Sequence, residues 1–157
     1  MKRERGSTAL EAALFIPVLL LLLMGMVEIA KVTYIYYTLE RTLYAVARQV
    51  ATSQGVDFCN ATDDIITGAK NFVLTGTSDG SGESPIPSLQ ADMIEVSMER
   101  YDSSTQQLAS STSCDAGAPD YIVVSIPNGY PITPRIPYVL ANTIQLRPHI
   151  RVRYGGT

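Results

Sequence analysis

The sequence predicts an α+β chain: one long N-terminal helix, membrane-spanning at its start and amphipathic beyond, packed on a small antiparallel sheet. Three observations predict it. Residues 12–27 form an apolar run without a single charge. After that run Ile29, Val32, Tyr36, Leu39, Leu43, Val46 and Val50 follow one another at spacings of three and four, the mark of one helix face. Past Gly55 the texture breaks into short alternating runs separated by Gly, Ser and Pro clusters, which read as strands and turns.

The apolar run comes first. Hydrophobic residues are 46% of the chain and charged residues 17%, but the two classes are segregated rather than mixed. Residues 12–27 make about 24 Å of helix, slightly short of a bilayer's hydrocarbon core. Ala9 and Leu10 before the run, with Ile29 and Ala30 after it, supply the missing length, and Glu11 and Glu28 fall near the two interfaces. Lys2, Arg3 and Arg5 precede the span and Lys31 alone follows it closely, so the positive-inside rule keeps the N-terminus in the cytoplasm and exports the rest. A cleaved secretory signal would need small residues just past the apolar core. Residues 25–30 read Gly-Met-Val-Glu-Ile-Ala and offer no such pair, so the span is expected to be retained.

Charge excludes one class of partner. The net charge is −3, from 12 basic and 15 acidic residues. A body this acidic has no footprint for nucleic acid. Arg147, Arg151 and Arg153 make a local basic stripe; Arg151 and Arg153 stand at strand spacing, as on a solvated strand face.

Gly6 is followed by Ser7, and Glu11 is the fifth residue counted from Ser7. An acid at the edge of an apolar helix is costly unless something uses it. A local reading has Ser7 or Thr8 capping the helix while Glu11 favours its positive end. The arrangement also resembles the class III signal of type IV pilin-like proteins. More narrowly, Gly6, Glu11, Pro17, the leucine run 19–23, Gly25 and Glu28 resemble the TadE-like pseudopilins of tight-adherence (Tad/Flp) systems, well over residues 5–50 and in outline beyond.

That resemblance implies a pilin-like fold and a minor pseudopilin role in assembling a Tad/Flp-type IV pilus. It implies a prepilin peptidase cutting between Gly6 and Ser7, with Glu11 serving assembly by pairing with a neighbour's new N-terminal amine. The implied partners are other pilin and pseudopilin subunits, the peptidase, the inner-membrane assembly platform and membrane lipid. The implied location is the bacterial inner membrane, single-pass, with the C-terminal domain periplasmic or, within a pilus, extracellular. Ala12 follows Glu11 where Flp-type major pilins usually carry Tyr, and those pilins are much shorter. Both departures favour a minor subunit over the alternative of a main filament subunit. A further alternative is a membrane-tethered binding module with a passive anchor.

The expected organisation is therefore a leader at 1–6, a transmembrane segment at 7–30, an amphipathic continuation at 31–54 and an α+β ectodomain at 55–157. The helix should run from about Thr8 to about Ser53, roughly 69 Å at 1.5 Å per residue. Its seam is expected to pack mainly on the protein's own sheet. Pro17 removes a backbone donor and crowds the preceding turn, so a kink or loosening is expected near Ala13. Tyr34, Tyr36 and Tyr37 follow the span where aromatic belts form.

In the ectodomain a short helix is expected over residues 62–74, capped by Thr62 or Asp63, with Ile65, Ile66, Ala69, Phe72 and Val73 on one face. Strands are expected at 93–101, 121–126 and 143–154, the last marked by Pro148 as an edge or bulge. Pro131, Pro134 and Pro137 bar residues 131–137 from a central strand. Residues 76–87 and 110–119 read as polar loops.

No catalytic, cofactor or metal motif is present, so no enzyme activity and no cofactor are expected. His149 is the single histidine and stands on a predicted strand. Cys59 and Cys114 both follow the span, and paired cysteines are usual on the exported side, with two buried free thiols as the alternative. The bridged loop of roughly 55 residues corresponds to about 4 kcal/mol in the chain-entropy account. Reduction is accordingly expected to lower the ectodomain's denaturant midpoint without releasing the chain from membranes, checked by unfolding and flotation with and without reductant.

Overall fold

The computed structural model describes residues 4–60, 62–111, 117–135 and 142–155, with side chains from residue 11 onward. Helix α1 covers Glu4–Thr52 and helix α2 Asp64–Thr75. Strands β1 (Glu95–Asp102), β2 (Gln107–Ser110), β3 (Tyr121–Ser125) and β6 (His149–Arg153) form an antiparallel sheet in the order β2-β1-β3-β6. Strands β4 (Tyr130–Ile132) and β5 (Ile144–Leu146) make a separate two-stranded sheet. The α+β expectation, a long apolar N-terminal helix with a small antiparallel sheet, holds. By contact the chain divides into two units: Met1–Ile35 with Ile132–Ile144, and Tyr36–Pro131 with Gln145–Thr157.

The second unit holds the main core. Leu39, Leu43, Val46, Ala47 and Val50 of α1 are fully enclosed, as are Ile122 and Val124 of β3. Register puts the sheet's apolar residues on one face: Met98 stands opposite Ile122, which in turn faces Val152, and Val124 faces Ile150. The period of two that fixed this alternation in the sequence also fixes the register, since a one-residue slip would turn the whole set outward. On the other face Arg151 is half-exposed, as expected of a solvated strand, and its guanidinium grips the Glu99 carboxylate through two contacts of 2.7 and 2.9 Å.

Local chemistry explains the element boundaries. Helix α1 ends where Thr52 Oγ1 and Ser53 Oγ donate to the Arg48 and Gln49 carbonyls at 3.0 and 2.8 Å, satisfying groups that lack intrahelical partners. The strand leaving β6 closes against this end: Gly155 N donates to Ala51 O at 3.0 Å and Tyr154 Oη to Ser53 O at 3.3 Å. Asp63 caps α2, accepting from the Ile65 and Ile66 amides at 2.9 and 3.2 Å. Gly76 ends it in the left-handed conformation, φ +77°, with its amide on Phe72 O. Gly82 is needed for space instead: a Cβ there would stand 2.1 Å from the Thr75 carbonyl oxygen.

Several expectations are corrected. Helix α1 begins at Glu4, so neither Ser7 nor Thr8 stands at its boundary to cap it. Phe72, expected on the inner face of α2, is 52% exposed, and Leu74 is buried instead. The expected strand 143–154 is two strands in two sheets, because Pro148 cannot donate; it is buried and its carbonyl accepts from Ile126 N at 3.3 Å. Strand β2 was not expected at all. It pairs with β1 through a turn held by Asp102, whose carboxylate accepts from Ser104 N and Oγ and from Thr105 Oγ1. Those hydrogen bonds, first that of the Ser104 hydroxyl, hold the Asp102 carboxyl below its ordinary value.

Leu43→Ala is expected to cost about 2–5 kcal/mol and Asp63→Ala about 1 kcal/mol, with Gly82→Ala destabilising through the Thr75 clash. Denaturant midpoints of the detergent-solubilised full chain check all three.

Candidate functional site

Candidate chemistry is sparse. Among the described residues no group of three or more His, Cys, Asp or Glu could hold a metal ion. His149 is exposed at the start of β6. A hollow of about 410 Å³ in the second unit is lined by Phe58, Ile66, Ile94 and Pro127 with Lys70 and Asp92. Burial there pulls the Lys70 ammonium below its ordinary value, against the pull of Glu95 and Asp92. This is a cation kept near two acids.

The residues singled out by the sequence fall mainly on α1. Gly6 and Ser7 lie inside the helix near its start, and Glu11 follows one turn later with an exposed side chain. Pro17 lies inside the helix, which continues past it without a break. One residue of the expected cysteine pair, Cys114, lies outside the described residues, as do residues 1–3. From Leu14 to Ile29 the large apolar side chains are exposed, with Leu19, Leu22 and Leu23 at 57%, 53% and 58% and Val27 and Ile29 at 66% and 68%. Gly25 has open space around it: beyond its own stretch of helix backbone, a Cβ there would meet no described atom within 4 Å. A continuous apolar surface of this size is far beyond what a monomer leaves in water. Helix α1 is the one helix among the described residues long and apolar enough to cross a membrane.

Glu28 differs from its neighbours. Its side chain is 15% exposed, its Oε2 has no hydrogen-bond partner among the described residues, and Lys31 Nζ is 3.9 Å away. The seam predicted from spacing changes character along its length: Ile29 is exposed, Tyr36 is 37% exposed, and enclosure begins at Leu39. Partial burial, and secondarily the Glu40 carboxylate, raise the Tyr36 phenol above its ordinary value. The Tyr36 and Tyr37 rings meet edge-to-face with centroids 6.2 Å apart.

A second stripe escaped the sequence reading. Tyr37, Arg41, Tyr44 and Arg48 recur at spacings of four, three and four, and all are exposed, Tyr37 at 61% and Tyr44 at 51%. At 100° per residue they fall opposite the buried seam of Leu39, Leu43, Val46 and Val50. The spacing is visible in the sequence, but Tyr37 had been expected only as part of an aromatic belt, and Arg41 and Arg48 only as polar residues off the seam. Together they are the residue types most enriched where proteins bind one another.

Residues 6–48 match the family model described as TadE-like protein. The match confirms the resemblance expected from Gly6, Glu11, Pro17, Gly25 and Glu28, and it falls entirely on α1. No match was found among curated proteins or among solved structures.

Tyr37→Ala and Tyr44→Ala are expected to shift stability by no more than about 0.5 kcal/mol, as exposed positions do. Comparison of their unfolding midpoints with that of the parent chain checks whether this stripe serves the fold or a partner.

Proposed function

We propose that the chain is a minor pseudopilin of a Tad/Flp-type IV pilus, processed by a prepilin peptidase and assembled through its N-terminal helix. The observation that carries this reading is the coincidence of the TadE-like match with the helix whose apolar surface the protein's own fold leaves uncovered. A helix that needs outside cover and lacks any catalytic grouping is suited to building an assembly.

In this reading residues 1–6 form a cytoplasmic leader, and the Gly6–Ser7 bond is the one cut. Residues 7–30 cross the inner membrane and residues 31–54 carry the helix into an exported α+β domain at 55–157, stapled by Cys59 and Cys114. Cleavage creates an ammonium on Ser7. Glu11, exposed one turn further on, is then free to pair with the corresponding ammonium of a neighbouring subunit. In a lipid environment such a pair is worth much more than in water, because the alternative is an unpaired charge in low dielectric. Pro17 lacks the amide that would bond four residues back, which softens the span where a subunit must bend as it leaves the bilayer. The partners are other pilin and pseudopilin subunits, the peptidase and the inner-membrane assembly platform.

Mass spectrometry of the membrane-extracted protein is expected to show loss of the six leader residues and Ser7 as the new N-terminus. Glu11→Ala is expected to insert and fold normally but to be missing from sheared filaments. An intact Met1 together with unimpaired function would instead leave a tethered binding module with a passive anchor.

A further inference from the structure

The stretch Ile132–Ile144 belongs by contact to the unit that contains the span, Met1–Ile35, although a hundred residues separate the two in sequence. Its described residues lie against α1 at definable heights. Arg135 shares a hollow of about 250 Å³ with Leu20, Leu23, Met24, Val27 and Glu28. Pro134 and Ile144 share another, of about 260 Å³, with Glu28, Ile29, Val32 and Thr33. The Thr133 and Thr143 hydroxyls are 3.1 Å apart and tie the two arms of this stretch together. Ile144 nevertheless stays 45% exposed, and Thr133 and Arg135 are exposed as well.

Heights along a spanning helix are depths in a bilayer. With the span ending at Ala30, Thr33 lies about 5 Å beyond its edge and Leu20 about 15 Å before it. The polar zone on each side of the hydrocarbon core is about 5–7 Å thick. Whatever touches Ile29 to Thr33 therefore lies in the headgroup zone, and whatever touches Leu20 to Val27 lies at or below its inner edge. Water cannot surround residues packed there.

We infer that the described residues of Ile132–Ile144 are a second membrane contact, laid into the outer leaflet beside the span, with Arg135 as its charged anchor. Proline and isoleucine at the headgroup level expose no unsatisfied donor on their side chains, and Pro134 carries no backbone N–H to desolvate. Arg135 shares its hollow with Leu20, Leu23 and Val27, a level from which a long basic side chain reaches outward to lipid phosphate, as such side chains do near helix ends. Glu28 lines both hollows; its buried Oε2 gives the anchor a carboxylate at the same depth. Lipid is the occupant to which the geometry commits, because the stretch borders the part of α1 whose apolar side chains all remain uncovered.

The inference rests on α1 crossing a bilayer, and the test separates the two. The chain has no tryptophan, so single reporters are clean. Leu22→Trp marks the span, Ile144→Trp the proposed contact and the exposed Phe72→Trp the second unit. Each full-length variant is reconstituted at low protein-to-lipid ratio in phosphatidylcholine brominated either near the carbonyl end or near the chain terminus. The expected result is deep quenching of L22W, shallow quenching with a blue-shifted emission for I144W, and neither for F72W. Adding R135Q to I144W is expected to reduce its quenching while L22W in the same background is unchanged. Loss of L22W quenching would overturn the spanning reading and this inference together. Quenched L22W beside solvent-like I144W would overturn this inference alone. So would I144W shielding that appears only at high protein density, which would make a second copy the occupant.

Discussion

The whole chain depends on one constraint: the surface of α1 has to be taken out of water by something other than its own fold along part of its length. Fully burying a leucine-sized side chain is worth about 1.5–3 kcal/mol, and Leu14, Leu19, Leu20, Leu21, Leu22 and Leu23 are all 45–69% exposed. No arrangement of a sheet this small covers them. Further along the same helix Leu39, Leu43, Val46 and Val50 are fully enclosed. Helix α1 thus has two solvents, and the change between them falls between Ile29 and Leu39.

That change is the part of the fold the sequence could not show. The three-and-four spacing runs unbroken from Ile29 to Val50, because a helix face looks the same whatever covers it. Periodicity reports which side chains share a face; it is silent on whether lipid, a neighbour or the protein's own sheet lies opposite. Strand alternation was legible for the opposite reason: Met98, Ile122 and Val124 have one face to water and one to the core, and that asymmetry is written as a period of two. Strand β2 was missed because Gln107 to Ser110 contains one large apolar residue, Leu108, and owes its place to the Asp102 turn rather than to burial. The last strand was read as one because Pro148 marks a break without saying that the two halves join different sheets.

The candidate site divides in the same way. Gly6, Glu11 and the leucine run were legible as a short linear pattern, since their chemistry depends on spacing along one helix. The Tyr37–Arg41–Tyr44–Arg48 stripe was equally linear, yet it signals recognition only when its exposure and its position opposite the buried seam are known. The grouping of Arg135 with Leu20 and Glu28 is a contact across more than a hundred residues. No local pattern encodes a contact of that kind, and the three prolines of 131–137 had suggested only what the stretch could not be.

These observations make the two acids of α1 different in kind. Glu11 is exposed, and no hydrogen bond or ion pair engages it among the described residues. Glu28 is largely covered and faces residues of its own chain, Arg135 and Pro134, in adjoining hollows. A carboxylate in a poorly solvated place is retained at a cost of several kcal/mol unless a cation answers it. For Glu28 that answer can come from within the molecule. For Glu11 no described residue of the chain offers one, and under the proposed processing a newly made ammonium on a neighbouring copy is the group whose charge and origin would fit. On the proposed reading, one acid then serves the chain's own membrane setting, and the other is left over for assembly.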